Sequence, residues 1–345
     1  MEEAVAKKPG NNITRREFIK LAGAVTAGAV LAGAGCAPKP AGPRVSSPTP
    51  SRADLIEYTP QAKSKVVQTH HAGAWSSDDL VPNVLEQMLD ASITKLTGLT
   101  DAAEAWKTLF DPREKIAIKV NAVYTGSTHV ALALAVAEKL KQAGIAPEQI
   151  TLYDRRSDEL RQAGFSINRH GSGVRCAGTD GENTGGWELV GRQVQLSNYL
   201  LGCDALINIP IFKTHVYAGL TFAMKNHFGT FDMPSAFHTK IMQSLPQLNA
   251  LAPTKDKTRL IVGDMLTRGS IPDPVGSAII GTGDSILMAF DSVASDATGL
   301  AFVKKVQPES QSLEALAQTW LKVAAEMKLG TNDPAKIDFV EQSIG

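Results

Sequence analysis

Residues Asp204–His238 read DALINIPIFKTHVYAGLTFAMKNHFGTFDMPSAFH, and this stretch is the most informative part of the sequence. Its first part, ALINIPIF, is apolar and β-branched, which predicts a buried strand that breaks at Pro210. The run AGLTFAMKNHFG follows and has a helix-like composition, so we expect a helix over residues 216–228. A buried strand followed closely by a helix is typical of α/β proteins with a parallel sheet.

The rest of the chain repeats this alternation. Strands are predicted at five β-branched runs: Lys65–His70, Lys115–Asn121, Gln149–Asp154, Ala205–Pro210 and Arg259–Asp264. Helical patterns occur at residues 79–96, 128–143, 292–305 and 312–328. The predicted fold class is therefore α/β, with a mainly parallel sheet, helices on both faces and a β-hairpin late in the chain, at Ser277–Asp291. Arg169–Gly191 is rich in glycine and polar residues and is predicted to be a long loop.

Polar residues recur where the predicted strands end. They are Lys119, Asn121, Asp154, Arg155, Asn208, Lys213, His215, Asp264 and Asp291. Ligands bind at the carboxyl edge of open parallel sheets, so this pattern predicts one convergent site. Strand ends also need polar residues simply because loops begin there, and Asp291 has the alternative role of N-cap for the helix that begins at Ser292.

The local charge around this edge indicates an anionic ligand. From Lys213 to Lys240 there are three lysines and three histidines against a single acid, in a chain with 35 basic and 35 acidic residues. Lys213 and Thr214 precede the expected helix, whose N-terminus would favour an anion; the alternative is an N-capping Thr214 beside a solvated lysine.

Lys225 and Asn226 lie in an apolar run, so Lys225 is expected to be buried beside an acidic partner. Asp264, Asp291 and Asp296 are the candidates for that partner, and such a pair can be purely structural.

The histidines allow two chemistries. His215, and more weakly His238, are candidate acid–base groups. The alternative, a metal-dependent enzyme that uses His and Asp ligands, lacks a short spacing such as HxH or HExxH. The sequence contains no nucleophile elbow, no Walker loop and no strand-associated dinucleotide fingerprint, so whether the protein is an enzyme stays open.

These residues resemble a known family, the domain of unknown function 362. The resemblance rests on KIAIKVN, on Lys213-Thr214-His215, on Lys225-Asn226-His227-Phe228-Gly229, on Phe237-His238 and on the segment Asp291–Asp296, and covers roughly residues 64–305. It implies a shared site, but the family has no settled reaction. Many relatives append ferredoxin-like cysteine clusters, which this chain lacks.

The N-terminus has the layout of an export signal. Arg15-Arg16 precede the weakly apolar run LAGAVTAGAVLAGAG, which is typical of a twin-arginine signal peptide read by the twin-arginine translocation machinery. Cys36 closes the run and is a candidate lipidation site, although Gly33 departs from the usual lipobox. We expect a signal at residues 1–36, a Pro/Ser-rich tether at residues 37–63 and a single α/β domain at residues 64–345.

The amino-acid composition limits the classes of ligand and cofactor that we expect this protein to bind. The balanced charge and the 6% aromatic content give no reason to expect nucleic acid. Three cysteines without a CxxC pair predict no iron–sulfur cluster, and no other cofactor is indicated. The sequence thus predicts an exported protein that reaches the membrane only through its signal or a lipid anchor and binds a small anionic ligand. The alternative is a non-catalytic ligand-binding or scaffold lipoprotein.

Overall fold

The chain folds around a large twisted sheet. The computed structural model describes residues 51–56, 62–123, 126–272, 278–307 and 310–345. The strands are β1 Ser64–His70, β2 Trp75–Ser76, β3 Asp79–Leu80, β4 Ile116–Val120, β5 Ile150–Asp154, β6 Arg175–Gly178, β7 Asn183–Leu189, β8 Arg192–Ser197, β9 Ala205–Ile209, β10 Lys213–His215, β11 Gly219–Thr221, β12 Thr258–Met265, β13 Arg268–Pro272, β14 Ala278–Thr282, β15 Ser285–Ala289 and β16 Ile337–Ser343.

Helices lie between most of these strands. The α-helices are α1 Arg52–Ile56, α2 Pro82–Thr97, α3 Ala102–Leu109, α4 Val130–Gln142, α5 Ser157–Gln162, α6 Asn198–Gly202, α7 Ala223–Asn226, α8 Ile241–Ala250, α9 Ala252–Lys257, α10 Ser292–Val306 and α11 Gln311–Glu326. Short 3₁₀ helices span Pro147–Gln149, His227–Thr230, Pro234–Lys240 and Pro334–Lys336.

The main sheet has eight strands in the order β16-β1-β15-β12-β9-β4-β5-β6. From β12 to β6 every neighbouring pair is parallel, and β1 is parallel to β16. Because β15 is antiparallel to both β1 and β12, it alone runs against the other strands of this sheet. The predicted α/β class with a mainly parallel sheet is therefore confirmed.

Two hydrophobic layers cover the two faces of this sheet, because successive residues of a strand point to opposite sides. In β4, Ile116 and Ile118 pack with helices α2, α3 and α4 on one face. Ala117 packs on the other face, in a cluster that includes apolar residues of α8, α10 and α11. Lys119 has the parity of Ala117, so its side chain emerges on this second face.

A smaller sheet sits at the carboxyl edge of the large one. Its order is β11-β10-β14-β13, with antiparallel pairing throughout. After β9 the chain forms two hydrogen bonds with the backbone of Asp264 in β12. The N–H of Asp264 donates to Pro210 O at 2.8 Å, and its carbonyl accepts from Phe212 N at 3.0 Å. These bonds carry β10 beyond the end of β9.

Local differences from the sequence expectations follow from the small sheet. The expected helix at residues 216–228 is wrong over most of its length, since β10 and β11 form a hairpin and only α7 is helical there. The late hairpin is made by β13 and β14, whereas the two runs within Ser277–Asp291 become β14 and β15 in different sheets. The expected loop Arg169–Gly191 contains β6 and β7.

The N-terminal predictions concern residues outside this description. Arg15-Arg16, Cys36 and most of the predicted tether lie outside the described residues. Within the tether, α1 is described, and its Arg52 donates to Glu114 at 2.9 Å. No helix in the described part of the chain has the length and hydrophobicity that a membrane span requires.

Candidate functional site

A cavity of about 400 Å³ lies at the carboxyl ends of β4 and β5. The hairpin β10–β11, helix α7 and the 3₁₀ helices that follow it supply the rest of its wall. It is lined by Lys119, Asn121, Val123, Asp154, Arg155, Lys213, His215, Val216, Tyr217, Thr221, Lys225, Asn226, Phe228, Gly229, Pro234, Ser235 and His238. Four cationic side chains thus face it against one carboxylate among the described residues.

Lys119 and Asp154 form an ion pair at the base of the cavity. Their charged atoms are 2.7 Å apart, and each side chain is 1% exposed. Gly229 passes directly over the pair: a Cβ at this position would lie 2.3 Å from Asp154 Oδ1 and 2.8 Å from Lys119 Nζ. Glycine is needed here because a side chain would collide with the buried pair.

The hairpin places Lys213 and His215 on one face and Thr214 on the other, as expected for alternating residues of a strand. Thr214 is directed to β14, where its hydroxyl accepts from Ala278 N at 2.8 Å. The hairpin turns at Gly219, whose φ is +78°. This turn brings Thr221 opposite Lys213. The Oγ1 atom of Thr221 is buried and makes no hydrogen bond within the described residues.

Helix α7 is held by side chains from neighbouring elements. Asp296 of α10 accepts from Ala223 N at 2.6 Å and from Met224 N at 2.9 Å. Asn226 donates to Asn208 Oδ1 at 2.7 Å and to Lys119 O at 3.2 Å. These bonds fix the backbone that carries Lys225 towards the cavity.

Lys225 is buried, and none of the described residues gives it an acidic partner. None of the expected partners, Asp264, Asp291 and Asp296, forms an ion pair with it among the described residues; its ammonium lies 4.0 Å from the centre of the Phe228 ring. Burial, together with the charges of Lys213 and Lys119, lowers the pKa of Lys225 to about 7. The amine therefore changes charge near neutral pH.

Two stacked imidazoles complete the polar wall. The rings of His215 and His238 lie 5.5 Å apart and nearly parallel. Burial and the nearby Lys225 lower the pKa of His215 to about 2 and that of His238 to about 4, so both are neutral at physiological pH. His215 Nδ1 accepts from the backbone N–H groups of Tyr217 and Ala218, each at 3.1 Å. The ring proton of neutral His215 is consequently on Nε2.

Most of the expected site residues meet in this cavity. It brings together Lys119, Asn121, Lys213, His215, Lys225, Asn226 and His238. The expected helix N-terminus after Thr214 does not exist, so the basic character comes from lysine side chains and not from a helix dipole.

Thr214, Asp264 and Asp291 do not line this cavity. Asp264 instead accepts from His129 N at 2.7 Å and contacts the imidazole of His129 at 2.9 Å. Asp291 caps α10 by accepting from Ala294 N at 2.9 Å. In both cases a backbone N–H group at the start of a helix donates a hydrogen bond to the carboxylate. This is the alternative role that the sequence left open for Asp291.

Several lining residues were not selected from the sequence. Arg155 was noted only as a strand-end residue, and it pairs with Glu159 one helical turn on. Thr221 and Phe228 were not selected as site residues, because the segment that contains them was predicted to be one helix. The polar position opposite Lys213 could have been found only by predicting the turn at Gly219.

The described residues contain no group of three or more His, Cys, Asp or Glu side chains that could hold a metal ion. Cys176 and Cys203 are both buried free thiols. Burial raises the pKa of Cys176 to about 12 and that of Cys203 to about 11, which makes both poor nucleophiles.

No curated protein matches the chain in sequence. Among solved structures, the lactate racemase apoprotein from Thermoanaerobacterium thermosaccharolyticum is similar, with a TM-score of 0.39 and 10% identity over 71% of this chain. A protein from Thermotoga maritima solved by a structural genomics consortium is similar with a TM-score of 0.35 and 11% identity over 72% of this chain. The chain spans 58% and 60% of the lengths of these two proteins.

A family model matches residues 116–301, which is more than half of the 345 residues. The matched region runs from β4 into α10 and includes every residue that lines the cavity. The chain belongs to the family described as domain of unknown function (DUF362).

Proposed function

We propose that this chain is an exported protein that binds a small anionic molecule in the cavity at the carboxyl edge of its sheet. The observation that carries the proposal is the charge of the cavity wall, where Lys119, Arg155, Lys213 and Lys225 face a single carboxylate, Asp154. Asp154 is paired with Lys119 and Arg155 with Glu159, whereas Lys225 adds a positive charge that no carboxylate among the described residues neutralises.

The wall also carries groups that orient a ligand. Thr221 offers an unused buried hydroxyl, Asn121 offers an amide, and Phe228 offers an apolar ring. The volume of about 400 Å³ falls within the usual range for small-molecule sites. Lysine ammonium groups and a hydroxyl on one cavity wall suit a carboxylate or a phosphate.

The location is argued from the N-terminal sequence. Arg15-Arg16 before an apolar run favours passage through the twin-arginine translocation machinery, and Cys36 ahead of prolines favours a lipid anchor. We propose that the α/β domain works on the outer side of the cytoplasmic membrane, attached to it at most by this anchor.

Ligand binding is the function that the cavity supports best, and a non-catalytic binding lipoprotein would share it. His215 is the acid–base candidate of the site, but the low pKa values of His215 and His238 favour neutral imidazoles that make hydrogen bonds over groups that take up a proton. Binding alone is therefore the minimal proposal, and chemistry at the site needs its own test.

Calorimetric titration of the purified full chain with inorganic phosphate, succinate and pyruvate tests the proposal. We expect at least one probe to bind, and Lys213→Met and Lys225→Met each to weaken it about 10- to 100-fold, since each removes a charge-assisted hydrogen bond. Lys322→Met is the matched control, because the Lys322 side chain is 74% exposed and lies outside the cavity. Circular dichroism checks that each variant is folded. Failure of all three probes to bind, or equal affinity of the cavity variants and the control, would contradict the proposal.

A further inference from the structure

The strongest unexplained feature is the fixed position of Lys225. Asp296 and Asn226 hold the backbone of α7, and the side chain reaches the cavity with 8% of the residue exposed. Its nitrogen is 4.0 Å from the Phe228 ring centre, and no carboxylate among the described residues pairs with it. A structural lysine that is this buried is ordinarily paired with an acid, because an unpaired buried charge is costly.

The surroundings favour the uncharged amine. Burial removes water from the amine, and Lys213 and Lys119 add positive charge nearby. A lysine amine becomes a nucleophile towards carbonyl groups when desolvation or a neighbouring cation keeps it unprotonated. A pKa of about 7 leaves a large share of Lys225 in this form at neutral pH.

We infer that the Lys225 amine forms an imine with the carbonyl carbon of a small 2-oxo carboxylate whose carboxylate is bound by Lys213. This inference rests on the proposed anion-binding function and adds the substrate class. Lys213 and Lys225 line the same cavity, as required if one cation binds the carboxylate while the other nitrogen attacks the adjacent carbonyl.

The chemical step balances without an oxidant or a reductant. The nitrogen lone pair of Lys225 forms the C–N bond as the carbonyl π electrons move to oxygen. The nitrogen then releases one proton and the oxygen takes one up, which gives a neutral carbinolamine. That hydroxyl then leaves as water, with one further proton from solvent, and the C=N bond forms as an iminium ion. His215 carries its ring proton on Nε2 and can donate a hydrogen bond to the carbonyl oxygen as charge builds there.

The test is reductive trapping with the full chain. Protein is incubated with pyruvate, 2-oxoglutarate or phenylpyruvate in the presence of cyanoborohydride, and the adduct is measured by intact mass and located by peptide mapping. We expect one reduced adduct per chain on Lys225, formed faster at pH 8 than at pH 6. Lys225→Arg keeps the charge and should reduce the trapping rate at least about tenfold. Lys322→Arg should trap as wild type does. If Lys225→Arg does not fold, the mapped position in the wild type decides.

Calorimetry on the same samples separates this inference from the proposed function. Binding of a 2-oxo acid without an adduct, or adducts that map to Lys213 or to surface lysines, would overturn the imine and leave anion binding intact. If none of the three 2-oxo acids binds, the substrate class is wrong; if phosphate and succinate also fail to bind, the proposed function is wrong as well.

Discussion

Lys225 is the residue whose charge state governs this cavity. It is a cation below pH 7 and a neutral amine above, because burial and the adjacent lysines lower its pKa to about 7. Lys119, by contrast, is paired with a buried carboxylate 2.7 Å away. Two lysines on the same wall therefore differ: Lys119 is held in a buried ion pair, and we propose that Lys225 contacts the ligand.

Anion affinity should consequently depend on pH. Binding favours protonated Lys225, so the affinity for succinate should fall as pH rises above about 7, by at most about tenfold per pH unit. Lys225→Met should remove this step, and Lys322→Met should keep it. Calorimetric titrations between pH 6 and 9 measure the effect. The same pH profile in wild type and Lys225→Met would show that another group controls binding.

The same shift has a defined consequence for stability. The folded chain releases the Lys225 proton near pH 7, whereas a lysine in the unfolded chain keeps its proton up to about pH 10.4. Between these values the unfolded state binds more protons, so the contribution of Lys225 to the free energy of unfolding rises with pH. This sign is opposite to that of a lysine stabilised by an ion pair.

Single residues also show how far the sequence could predict the site. Lys119, Asn121 and Lys213 were selected because polar residues follow buried strands at one sheet edge, and Lys225 because it is a lysine in an apolar run; all four line the cavity. Asp264 and Asp291 fit the same pattern yet bind backbone N–H groups at helix starts. The sequence predicts which residues lie at the edge of the sheet but not where a carboxylate points. From the same strand end it can reach either the cavity or the backbone N–H groups at the start of a helix.

At the scale of elements, the hairpin β10–β11 makes the cavity possible. Lys213 and Lys225 are twelve residues apart, and the fold-back at Gly219 brings them to one wall. The apolar run around it was taken for a helix because residues 218–228 are buried on every side, which erases any amphipathic period. The five main strands were predicted correctly because each is a short β-branched run between polar ends.

Gly219 is therefore expected to be sensitive to substitution. Its φ is +78°, and a Cβ there would lie 2.0 Å from the carbonyl oxygen of Leu313 in α11. Gly219→Ala should lower the free energy of unfolding by about 3 kcal/mol, from backbone strain and displacement of α11, and should weaken ligand binding.

Gly191→Ala is the matched control for Gly219→Ala. Its φ is +72°, but no atom lies within 4 Å of the added Cβ. It should cost only about 1 kcal/mol and leave ligand binding unchanged. Urea denaturation and calorimetry of both variants measure the difference. Equal costs at the two glycines would mean that the contact with α11 does not constrain the hairpin.

In the whole molecule, we propose that the N-terminal segment directs export and that the α/β domain binds the ligand. The cavity is built entirely from residues between Lys119 and His238, far from the N-terminal signal in the sequence. Export should therefore depend on a few N-terminal residues, while ligand binding should not depend on them. This separation allows location and binding to be tested with different variants.

Replacing both Arg15 and Arg16 by lysine should leave the precursor in the cytoplasm, since the twin-arginine address is read by a receptor and not by charge alone. Fractionation of cells that produce the full chain, with immunoblotting, measures the distribution. Lys7→Arg with Lys8→Arg is a control that changes neighbouring basic residues and should be exported as wild type is. Export of the double lysine variant at the wild-type level would rule out this route.

Cys36→Ser should release the mature protein from membranes if the thiol carries the lipid. Acyl chains contribute about 0.8 kcal/mol of membrane affinity per buried CH₂, so loss of the anchor should move most of the protein to the soluble fraction. Membrane flotation measures the change, and Cys176→Ser is the control because that thiol is buried in the domain. A wild-type protein that is already soluble would show that Cys36 is not lipidated.

The position of β1 in the large sheet has a consequence for folding during synthesis. Within the described residues this strand pairs with β15 and β16, and 217 positions separate Gln68 from Ser285, whose hydroxyl accepts a hydrogen bond from the Gln68 side chain. At ordinary rates of synthesis, β1 waits about 10 to 45 s on the ribosome before either neighbour exists. Contacts of such long range also slow folding itself. The backbone edges of β1 stay unpaired throughout this interval, so a chaperone that shields the nascent N-terminal strand would protect the chain from aggregation.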